Sequence, residues 1–350
     1  MVREEQSGSP LRKHSEKTAT SGGWQGDARW PGDCGAHITF VQLLPQESWL
    51  ALTFKDVRRL FQVPTHGRVR LHDYDPGWAG EKNFSDLTKT ELKARAIEFL
   101  RQNVADLADA QERLYASDTH SVLIVMQASD AAGKDGTIKH VMSGVNPQGC
   151  QVFSFKTPSS EERDHNFLWR YMKALPERGR IGLFNRSYYE DVLVVRVHPE
   201  LLNKLPGKDR GNRFWRDRYD DINRFERHLD RNGTLVLKFF LNVSKKEQRR
   251  RFLDRLDTPE KNWKFSLGDL EERKHWSEYQ VAFENMLKHT STPWAPWWVI
   301  PADNKWITRA LVAGIITRSI DKLGVKFPQV SAEQQQRLAA ARRELEKGGV

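Results

Sequence analysis

The stretch SVLIVMQASDAAGKDGT, residues 121–137, decides the fold. It opens with the apolar run SVLIVMQA (121–128), which is typical of a strand buried on both faces of a parallel sheet. A turn of small residues follows, containing Gly133, Lys134 and Gly136, and a helical segment comes next. This order predicts a phosphate-binding loop, because backbone N–H groups, a helix N-terminus and a lysine ammonium can all face one anion.

The turn departs from the strict pattern G-x-x-x-x-G-K-[ST] at two positions. Ala128 stands where the first glycine belongs, and Asp135 stands where a hydroxyl would bind Mg²⁺. Thr137 offers a hydroxyl further along, and Asp130 offers a carboxylate within the turn. The alternative is an ordinary β–α turn whose glycines only relieve backbone strain.

Outward from this turn, strand and helix patterns alternate along the chain. Four further strands are predicted at QVFSFK (151–156), IGLFN (181–185), TLVLKFFLNV (234–243) and WWVIPA (297–302). Helical patterns cover 161–176 and 307–323, and another helix begins after a cap at Ser85 or Asp86. The alternation predicts an α/β fold in which a parallel five-stranded sheet lies between two layers of helices.

Two charged helical stretches interrupt the alternation between the fourth and fifth strands. The first begins at Ser244, whose side chain can cap the helix while Glu247 reaches back to the cap. The second runs from about Asp269 to His289. Because both lie at the carboxyl edge of the sheet, residues 244–290 are predicted to form a lid over a ligand.

The remaining chain divides by composition. Residues 1–63 are expected to be a disordered or accessory extension, 64–118 an arm and a helix, 119–325 the core, and 326–350 a C-terminal tail. No apolar run approaches the ~18 residues that a membrane span needs. The N-terminus carries no apolar signal core, and the two cysteines suit a reducing compartment, so we expect a cytoplasmic location.

Positive charge concentrates in the middle of the chain. Residues 163–251 hold 22 Lys or Arg against 12 Asp or Glu, which accounts for the whole net charge of +10. Such a field attracts polyanions, namely nucleic acid, an acidic membrane surface or a phosphate-rich substrate.

Acids accompany this charge after the third strand, in NRSYYED (185–191). Asn185 occupies a position from which P-loop folds usually direct an acid towards a metal ion. Glu190 and Asp191 could compensate, because Mg²⁺ prefers hard oxygen ligands. Ion pairs with Arg186 or Arg196 are the alternative for these two carboxylates.

Several ordered motifs resemble the polyphosphate kinase 2 family over roughly residues 72–325. The matching runs are SDAAGKDGTIKHVMSGVNPQGC (129–150), FNRSYYEDVLVVRV (184–197), LKFFLNVSKKEQRRRF (237–252), RLDTPEKNWKFSLGDLEERKHW (255–276) and APWWVIPADNK (295–305). The resemblance implies a P-loop kinase-like, three-layer α/β/α fold with a helical lid. It also implies reversible, Mg²⁺-dependent transfer of the terminal phosphoryl group of polyphosphate to a nucleotide, in a homo-oligomer. The form FNRSYYED is similar to the subgroup that accepts both AMP and ADP.

Under this resemblance, Lys134 contacts the donor's terminal phosphates and Arg186 neutralises the transferred group. Asp130 holds Mg²⁺, with Asp191 as a second metal ligand, and Glu190 or Asp191 orients the acceptor phosphate. Polyphosphate needs a line of cations, and arginine offers bidentate contacts to phosphate oxygens. The residues predicted to bind phosphate or polyphosphate are Gly133, Lys134, Gly136, Thr137, Arg186, Arg196, Arg251 and Lys264.

Three other functions compete with this one. An ATP-dependent nucleoside monophosphate kinase would share the turn and the lid, but it explains the arginine excess less well. A nucleic-acid-binding protein would use the basic segment, yet the paired acids would repel a nucleic acid backbone. A polyphosphate-binding scaffold would not need Asp130 and Lys134 together. We therefore expect polyphosphate and adenine nucleotides as partners, with guanine nucleotides left open, and neither nucleic acid nor a membrane.

Overall fold

The computed structural model of the protein describes residues 52–80, 87–202 and 211–348. Most of the expected N-terminal extension, residues 1–51, lies outside the described residues. The two candidate helix caps, Ser85 and Asp86, lie outside them as well. Among the described residues, no helix combines the length and apolar character needed to cross a membrane.

A parallel sheet of five strands forms the centre of the molecule. The strands are β1 Ser121–Ala128, β2 Cys150–Ser154, β3 Ile181–Asn185, β4 Thr234–Asn242 and β5 Trp297–Pro301. Their order is β2-β3-β1-β4-β5, and every neighbouring pair is parallel. The predicted sheet is confirmed, and the strand that leads into the glycine-lysine turn occupies its middle.

Helices cover both faces of this sheet. Their bounds are α1 Phe54–Phe61, α2 Lys89–Ser117, α3 Lys134–Val141, α4 Ser160–Asp164, α5 Trp169–Met172, α6 Glu190–Val197, α7 Asn212–Arg231, α8 Lys245–Asp257, α9 Leu267–Lys274, α10 Trp276–Thr290, α11 Lys305–Asp321 and α12 Ala332–Glu346. Alternate residues of β1 point to opposite faces, so Ile124 joins one apolar core with α2, α3 and α11, while Val125 joins another with α6, α7 and α10. The three-layer α/β/α architecture follows from these two cores.

Two elements differ from the sequence expectation. The helix predicted over 161–176 is divided into α4 and α5. Asn166 Oδ1 accepts the N–H of Leu168 at 3.0 Å, and such a local side-chain turn competes with helical hydrogen bonds. The helix α2 has Thr88 as its N-cap, and the side chains of Thr88 and Glu91 each bond the other residue's N–H.

The boundary expected at residue 63 is also moved. Residues 52–63 pack against β5, because Val57 and Phe61 are buried in the core and Val63 N–H donates to Trp297 O at 2.9 Å. The core of the described chain therefore starts at Leu52. The C-terminal tail contains α12, whose residues are all exposed.

The predicted lid contains α8, a 3₁₀ turn Pro259–Lys264, α9 and α10. Ser244 caps α8 as predicted, since its hydroxyl accepts Glu247 N–H at 3.1 Å. The reciprocal half of the predicted cap is absent from the described contacts. Glu247 instead binds Arg250 and Arg251, and the N–H of Ser244 donates to Asp303 Oδ1 at 2.8 Å.

Candidate active site

The loop between β1 and α3, residues 129–133, is here called the phosphate loop. Two of its residues have left-handed backbone conformations, Ala131 with φ 57° and Gly133 with φ 104°. A left-handed alanine is strained, and such strain concentrates at functional sites. Left-handed residues ahead of a helix N-terminus give the concave backbone surface that binds anions. The turn therefore has the backbone shape that is expected of a phosphate-binding loop.

Lys134 begins α3 and points back across the phosphate loop. Its Nζ donates to Ala128 O at 3.1 Å, and no other acceptor among the described residues receives a hydrogen bond from it. Burial lowers the pKa of Lys134, and Arg186 acts in the same direction. The carboxylates of Asp130 and Glu190 oppose this shift. An ammonium that uses one of its three N–H groups on the loop has donors left for a phosphate oxygen.

The segment 185–191, here called the acid segment, follows β3 at the same edge of the sheet. Asn185 Nδ2 donates to Asp135 Oδ1 at 2.7 Å, while Asn185 Oδ1 is buried and accepts no hydrogen bond from the described residues. Arg186 has a left-handed backbone, with φ 65°, and its Nη2 donates to Asp130 Oδ1 at 3.3 Å. These contacts join the acid segment to the phosphate loop and to the start of α3.

Glu190 and Asp191 begin α6 and face different partners. Burial raises the pKa of Glu190, although Arg186 and Lys134 oppose the shift, so this carboxyl belongs to the group around the phosphate loop. When the side-chain amide of Gln127 is oriented so that both its nitrogen and its oxygen have hydrogen-bond partners, the nitrogen donates to Glu190 Oε1 at 2.9 Å. Asp191 instead pairs with Arg218, at 3.4 Å between Oδ1 and Nη1.

Two tyrosines of the acid segment belong to a buried polar network that the sequence reasoning missed. Tyr188 and Tyr189 donate their hydroxyls to the same oxygen of Glu226, at 2.8 and 2.7 Å. Lys238 Nζ donates to the other Glu226 oxygen at 2.6 Å, to Tyr189 Oη at 2.9 Å and to Thr290 O at 2.6 Å. The side chains of Lys238 and Glu226 are both 0% exposed. A lysine in the middle of the apolar strand TLVLKFFLNV was the available signal, because a lysine is buried there only if it is paired.

Arg251, a predicted phosphate ligand, donates its hydrogen bonds to other groups of the protein. Its side chain is 5% exposed, and its N–H groups make five hydrogen bonds. One goes to Glu247, two go to the carbonyls of Ala131 and Ala132, and two go to those of Ala302 and Asp303. Because a guanidinium has five N–H donors, none is left for phosphate. We therefore reassign Arg251 to holding the phosphate loop against α8.

Three more predicted phosphate ligands have other partners. Arg196 Nη1 donates to Tyr219 Oη at 3.1 Å, and its guanidinium lies 5.0 Å from the centre of the Trp215 ring. Thr137 Oγ1 donates to Gly133 O at 3.1 Å, inside the first turn of α3. Lys264 is exposed at the end of the 3₁₀ turn in the lid. Lys264 lies outside the group that converges on Lys134, and phosphate binding by these three residues stays a prediction.

The residues present suit a divalent metal bound mainly through a substrate. Among the described residues, no group of three or more His, Cys, Asp or Glu could hold a metal ion. Mg²⁺ keeps several waters and often binds through one or two carboxylates and the substrate phosphates. Asp130, with a side chain 29% exposed at the phosphate loop, fits that role. The carboxylate of Asp191 is paired with Arg218, and its role as a metal ligand stays a prediction.

Comparisons with known proteins identify the family of the chain. The model of the family "Polyphosphate kinase 2 (PPK2)" matches residues 90–328. The chain is 52% identical over 260 residues to an ADP-polyphosphate phosphotransferase of Rhodopseudomonas palustris, covering 73% of this chain and 90% of that protein. It is 44% identical over 269 residues to an AMP/ADP-polyphosphate phosphotransferase of Meiothermus ruber, covering 77% and 95%. A crystal structure of polyphosphate kinase 2 from Arthrobacter aurescens TC1 superposes with a TM-score of 0.71 at 36% identity, covering 80% of this chain and 95% of that one.

Proposed function

The chain belongs to the polyphosphate kinase 2 family and is a polyphosphate-dependent nucleotide phosphotransferase, and from that premise we propose that it phosphorylates both AMP and ADP, reversibly and with Mg²⁺. One observation supports the proposal most directly. Lys134, Arg186, Asp130 and Glu190 interact at the point where β1 and β3 end. Phosphoryl transfer depends on such positioning and charge neutralisation more than on covalent help from the protein.

On the donor side, the phosphate loop and the remaining N–H groups of Lys134 would bind the terminal phosphates of polyphosphate. Asp130 would hold Mg²⁺, which neutralises charge on phosphate oxygens when it is bound. Arg186 lies 3.3 Å from Asp130 and is exposed enough to reach the transferred group. Its planar guanidinium suits the spread charge on that group.

On the acceptor side, Glu190 would contact the phosphate of the nucleotide. Burial raises the pKa of this carboxyl, which reduces its charge repulsion with an acceptor phosphate. Asp191 would act through Arg218, which it holds in place. The separate roles of Glu190 and Asp191 support the use of AMP. The single phosphate of AMP must be brought close to the donor without a second phosphate to anchor it.

The test is nucleotide formation from purified protein, Mg²⁺ and long-chain polyphosphate, with AMP and ADP supplied separately. We expect ADP and then ATP from AMP, and ATP from ADP. A Lys134→Ala preparation controls for contaminating kinases. ATP from ADP alone would reject the acceptor roles of the acid segment. Absence of product from both acceptors, in folded protein, would reject the proposed activity.

The same assay extends the proposal to other partners. GMP and GDP can replace the adenine nucleotides, which tests whether the site accepts guanine. We also propose a homo-oligomer and a cytoplasmic location, as the family resemblance implies. Light scattering of the purified chain measures the first, and fractionation of cells that express it measures the second.

A further inference from the structure

A cavity of about 410 Å³ lies on helix α1, and the function derived above uses none of its residues. Its lining consists of Phe54, Gln62 and three cations, namely Lys55, Arg58 and Arg59. These cations are spaced i, i+3 and i+4, so they lie on neighbouring turns of one side of the helix. A row of positive charge along a cavity indicates an anionic ligand.

The end of α11 adds a second row of cations. Lys322 Nζ lies 4.1 Å from the centre of the Phe54 ring, and Arg318 comes one helical turn earlier. Burial lowers the pKa of Lys322, and Arg58 and Arg318 act in the same direction. The two rows are therefore close enough to repel each other, and an anion between them would relieve this repulsion.

The nearest carboxylates are already used by other groups. Asp56 Oδ2 accepts the N–H and the hydroxyl of Thr53, at 3.1 and 2.7 Å, as part of the cap of α1. The other oxygen of Asp56 lies 3.6 Å from Arg59 Nη2. Asp321 Oδ1 pairs with Arg113 Nη2 at 2.8 Å. Neither carboxylate therefore neutralises both rows.

Four cations of the two rows keep donors for a ligand. Within the part of the chain that the structure describes, no carboxylate oxygen lies within salt-bridge distance of Lys55, Arg58, Arg318 or Lys322. Arg58 Nε donates to Gln62 Oε1 at 2.8 Å, which leaves both NH₂ groups of this guanidinium for another acceptor. A guanidinium can contact two phosphate oxygens at once.

The size of the cavity and its apolar floor indicate a compact ligand. Its volume is within the range of small-molecule sites, about 300–1,000 Å³. The ring of Phe54 already contacts Lys322 and lies 6.0 Å from the ring of Trp298, so charge rather than ring stacking would recognise the ligand. Two linked phosphates can contact both rows of cations together, whereas a single phosphate has fewer oxygens to share between them.

This cavity is separate from the candidate active site. Helix α11 starts beside α3, because a Cβ atom placed on Gly136 would lie 3.6 Å from Arg309 Nη2. Lys322 follows Arg309 by about 20 Å of helix, at 1.5 Å per residue. The helix α1 also precedes residues 90–328, which the family model matches. An anion bound at Lys322 therefore does not contact the phosphate loop.

We propose that this cavity, here called the α1 cavity, is a second anion site that binds a diphosphate group between α1 and the end of α11. Inorganic pyrophosphate and the linked phosphates of ADP or ATP share this chemistry. Arg58 would contact phosphate oxygens from one row, and Lys322 would contact them from the other. The inference does not depend on the proposed function, because the site contains no residue of the phosphate loop or the acid segment.

The test measures the reactivity of individual lysines in the full-length protein. The protein is briefly acetylated with acetic anhydride at increasing concentrations of inorganic pyrophosphate, and mass spectrometry quantifies each lysine. We expect pyrophosphate to slow acetylation of Lys55 and Lys322 at least about fivefold, since a phosphate-bound ammonium is a poor nucleophile. The same protection should occur in Lys134→Ala, which alters the phosphate loop. Lys347, exposed at the end of α12, is the internal control.

The choice of anion distinguishes the sources of the diphosphate group. We expect inorganic phosphate to require a concentration about tenfold higher than pyrophosphate for half-protection of Lys322, because it makes fewer charge-assisted contacts. Protection by ATP at the concentration that suffices for pyrophosphate would assign the site to nucleotides as well. Protection by pyrophosphate alone would assign it to the free anion. Protection by long-chain polyphosphate but not by pyrophosphate would overturn a compact diphosphate site.

A variant pair tests the second row. Arg58→Gln should raise the pyrophosphate concentration for half-protection of Lys322 about tenfold, and Arg343→Gln, on the exposed helix α12, should change it less than twofold. Circular dichroism melts establish that both variants are folded, and nucleotide formation should equal that of the wild type in both.

Three results would overturn the α1 cavity. In the first, Lys55 and Lys322 are not protected, which would leave these cations as partners of the helix C-termini. In the second, Lys347 is protected equally, which would indicate unspecific ionic binding. In the third, protection disappears in Lys134→Ala, which would place the anion at the phosphate loop. Wild-type protein that makes no nucleotide from polyphosphate would reject the proposed function and leave this measurement valid.

Discussion

The two flanks of the phosphate loop differ in how their charges are satisfied. On the β3 flank, Tyr188 and Tyr189 of the acid segment donate to Glu226, which also pairs with Lys238. On the β5 flank, the cationic side chains at the starts of α2 and α11 make no hydrogen bond among the described residues. A satisfied buried network holds one geometry, whereas exposed or half-buried cations adapt to a flexible polyanion. Pairing therefore fixes the charges of the β3 flank, while the cations of the β5 flank stay available to a ligand.

Arg251 lies between these flanks and belongs to neither. Its five hydrogen bonds join α8, the phosphate loop and the residues after β5. Gln248 adds a second tie, since its Nε2 donates to Asp130 O at 3.0 Å. The helix α8 is therefore attached to the phosphate loop. Arg251 lies beside this loop, yet its N–H groups are used by the protein itself.

The hardest test of the β3 flank removes its buried ammonium. Lys238→Met leaves the Glu226 carboxylate buried without its cation, so we expect the free energy of unfolding to fall by about 3–5 kcal/mol. Urea denaturation measures this loss. Adding Glu226→Leu to that variant should recover part of it, and Lys347→Met serves as the exposed control. A loss below about 1 kcal/mol would mean that the network does not hold the acid segment.

A change at Lys134, between the two flanks, should lower kcat equally with both nucleotides. Lys134→Ala removes the ammonium that faces the phosphate site, and we expect kcat to fall by about 10²–10³, or roughly 3–4 kcal/mol, with AMP and with ADP. The free energy of unfolding should stay near that of the wild type. Wild-type-like turnover would reject the assignment of the phosphate loop.

A change on the acceptor flank should separate the two nucleotides. We expect Glu190→Ala to reduce kcat/KM for AMP about tenfold more than for ADP, a difference of roughly 1.4 kcal/mol. The reason is that AMP has no second phosphate to replace the lost contact. Glu344→Ala, on the exposed helix α12, is the matched control. Equal losses with both acceptors would remove Glu190 from acceptor selection.

The smallest expected effect concerns pH and Asp191. Burial raises the pKa of this carboxyl to about 6, although Arg218 and Arg170 lower it. The folded protein therefore takes up a proton at a higher pH than the unfolded chain, and folding is favoured as the pH falls through about 6.

Between about pH 7 and pH 4, the stability of the wild type relative to Asp191→Asn should rise by about 1 kcal/mol. The shift itself would allow more, but the carboxyl is 23% exposed and solvent screens it. Denaturation curves across this range measure the difference. A relative stability that does not change with pH would show that Asp191 is not buried in this way.

Sequence reasoning succeeded where the signal is local. The strands β1 and β3 have the bounds predicted from their apolar runs, and the cap at Ser244 was visible from its neighbours. It failed for the second half of that cap, because Asp303, far along the chain, supplies the acceptor. It also could not show that Asp191, a predicted metal ligand, pairs with Arg218, because Arg218 comes from another helix.

The amino-acid sequence alone determined the parallel α/β fold, the glycine-lysine turn and the family, because each depends on residues close together in the chain. Only the tertiary structure decided which charges are available to a ligand. In the sequence, Lys238 and Arg251 cannot be told apart from other cations. In the folded protein, Lys238 donates to Glu226 and Arg251 donates to backbone carbonyls. Lys305 and Arg309 carry the same charge and make no hydrogen bond among the described residues, although Asp254 attracts Lys305. Hydrogen-bond partners and burial, which fix the function of a charged group, arise only when distant segments are brought together.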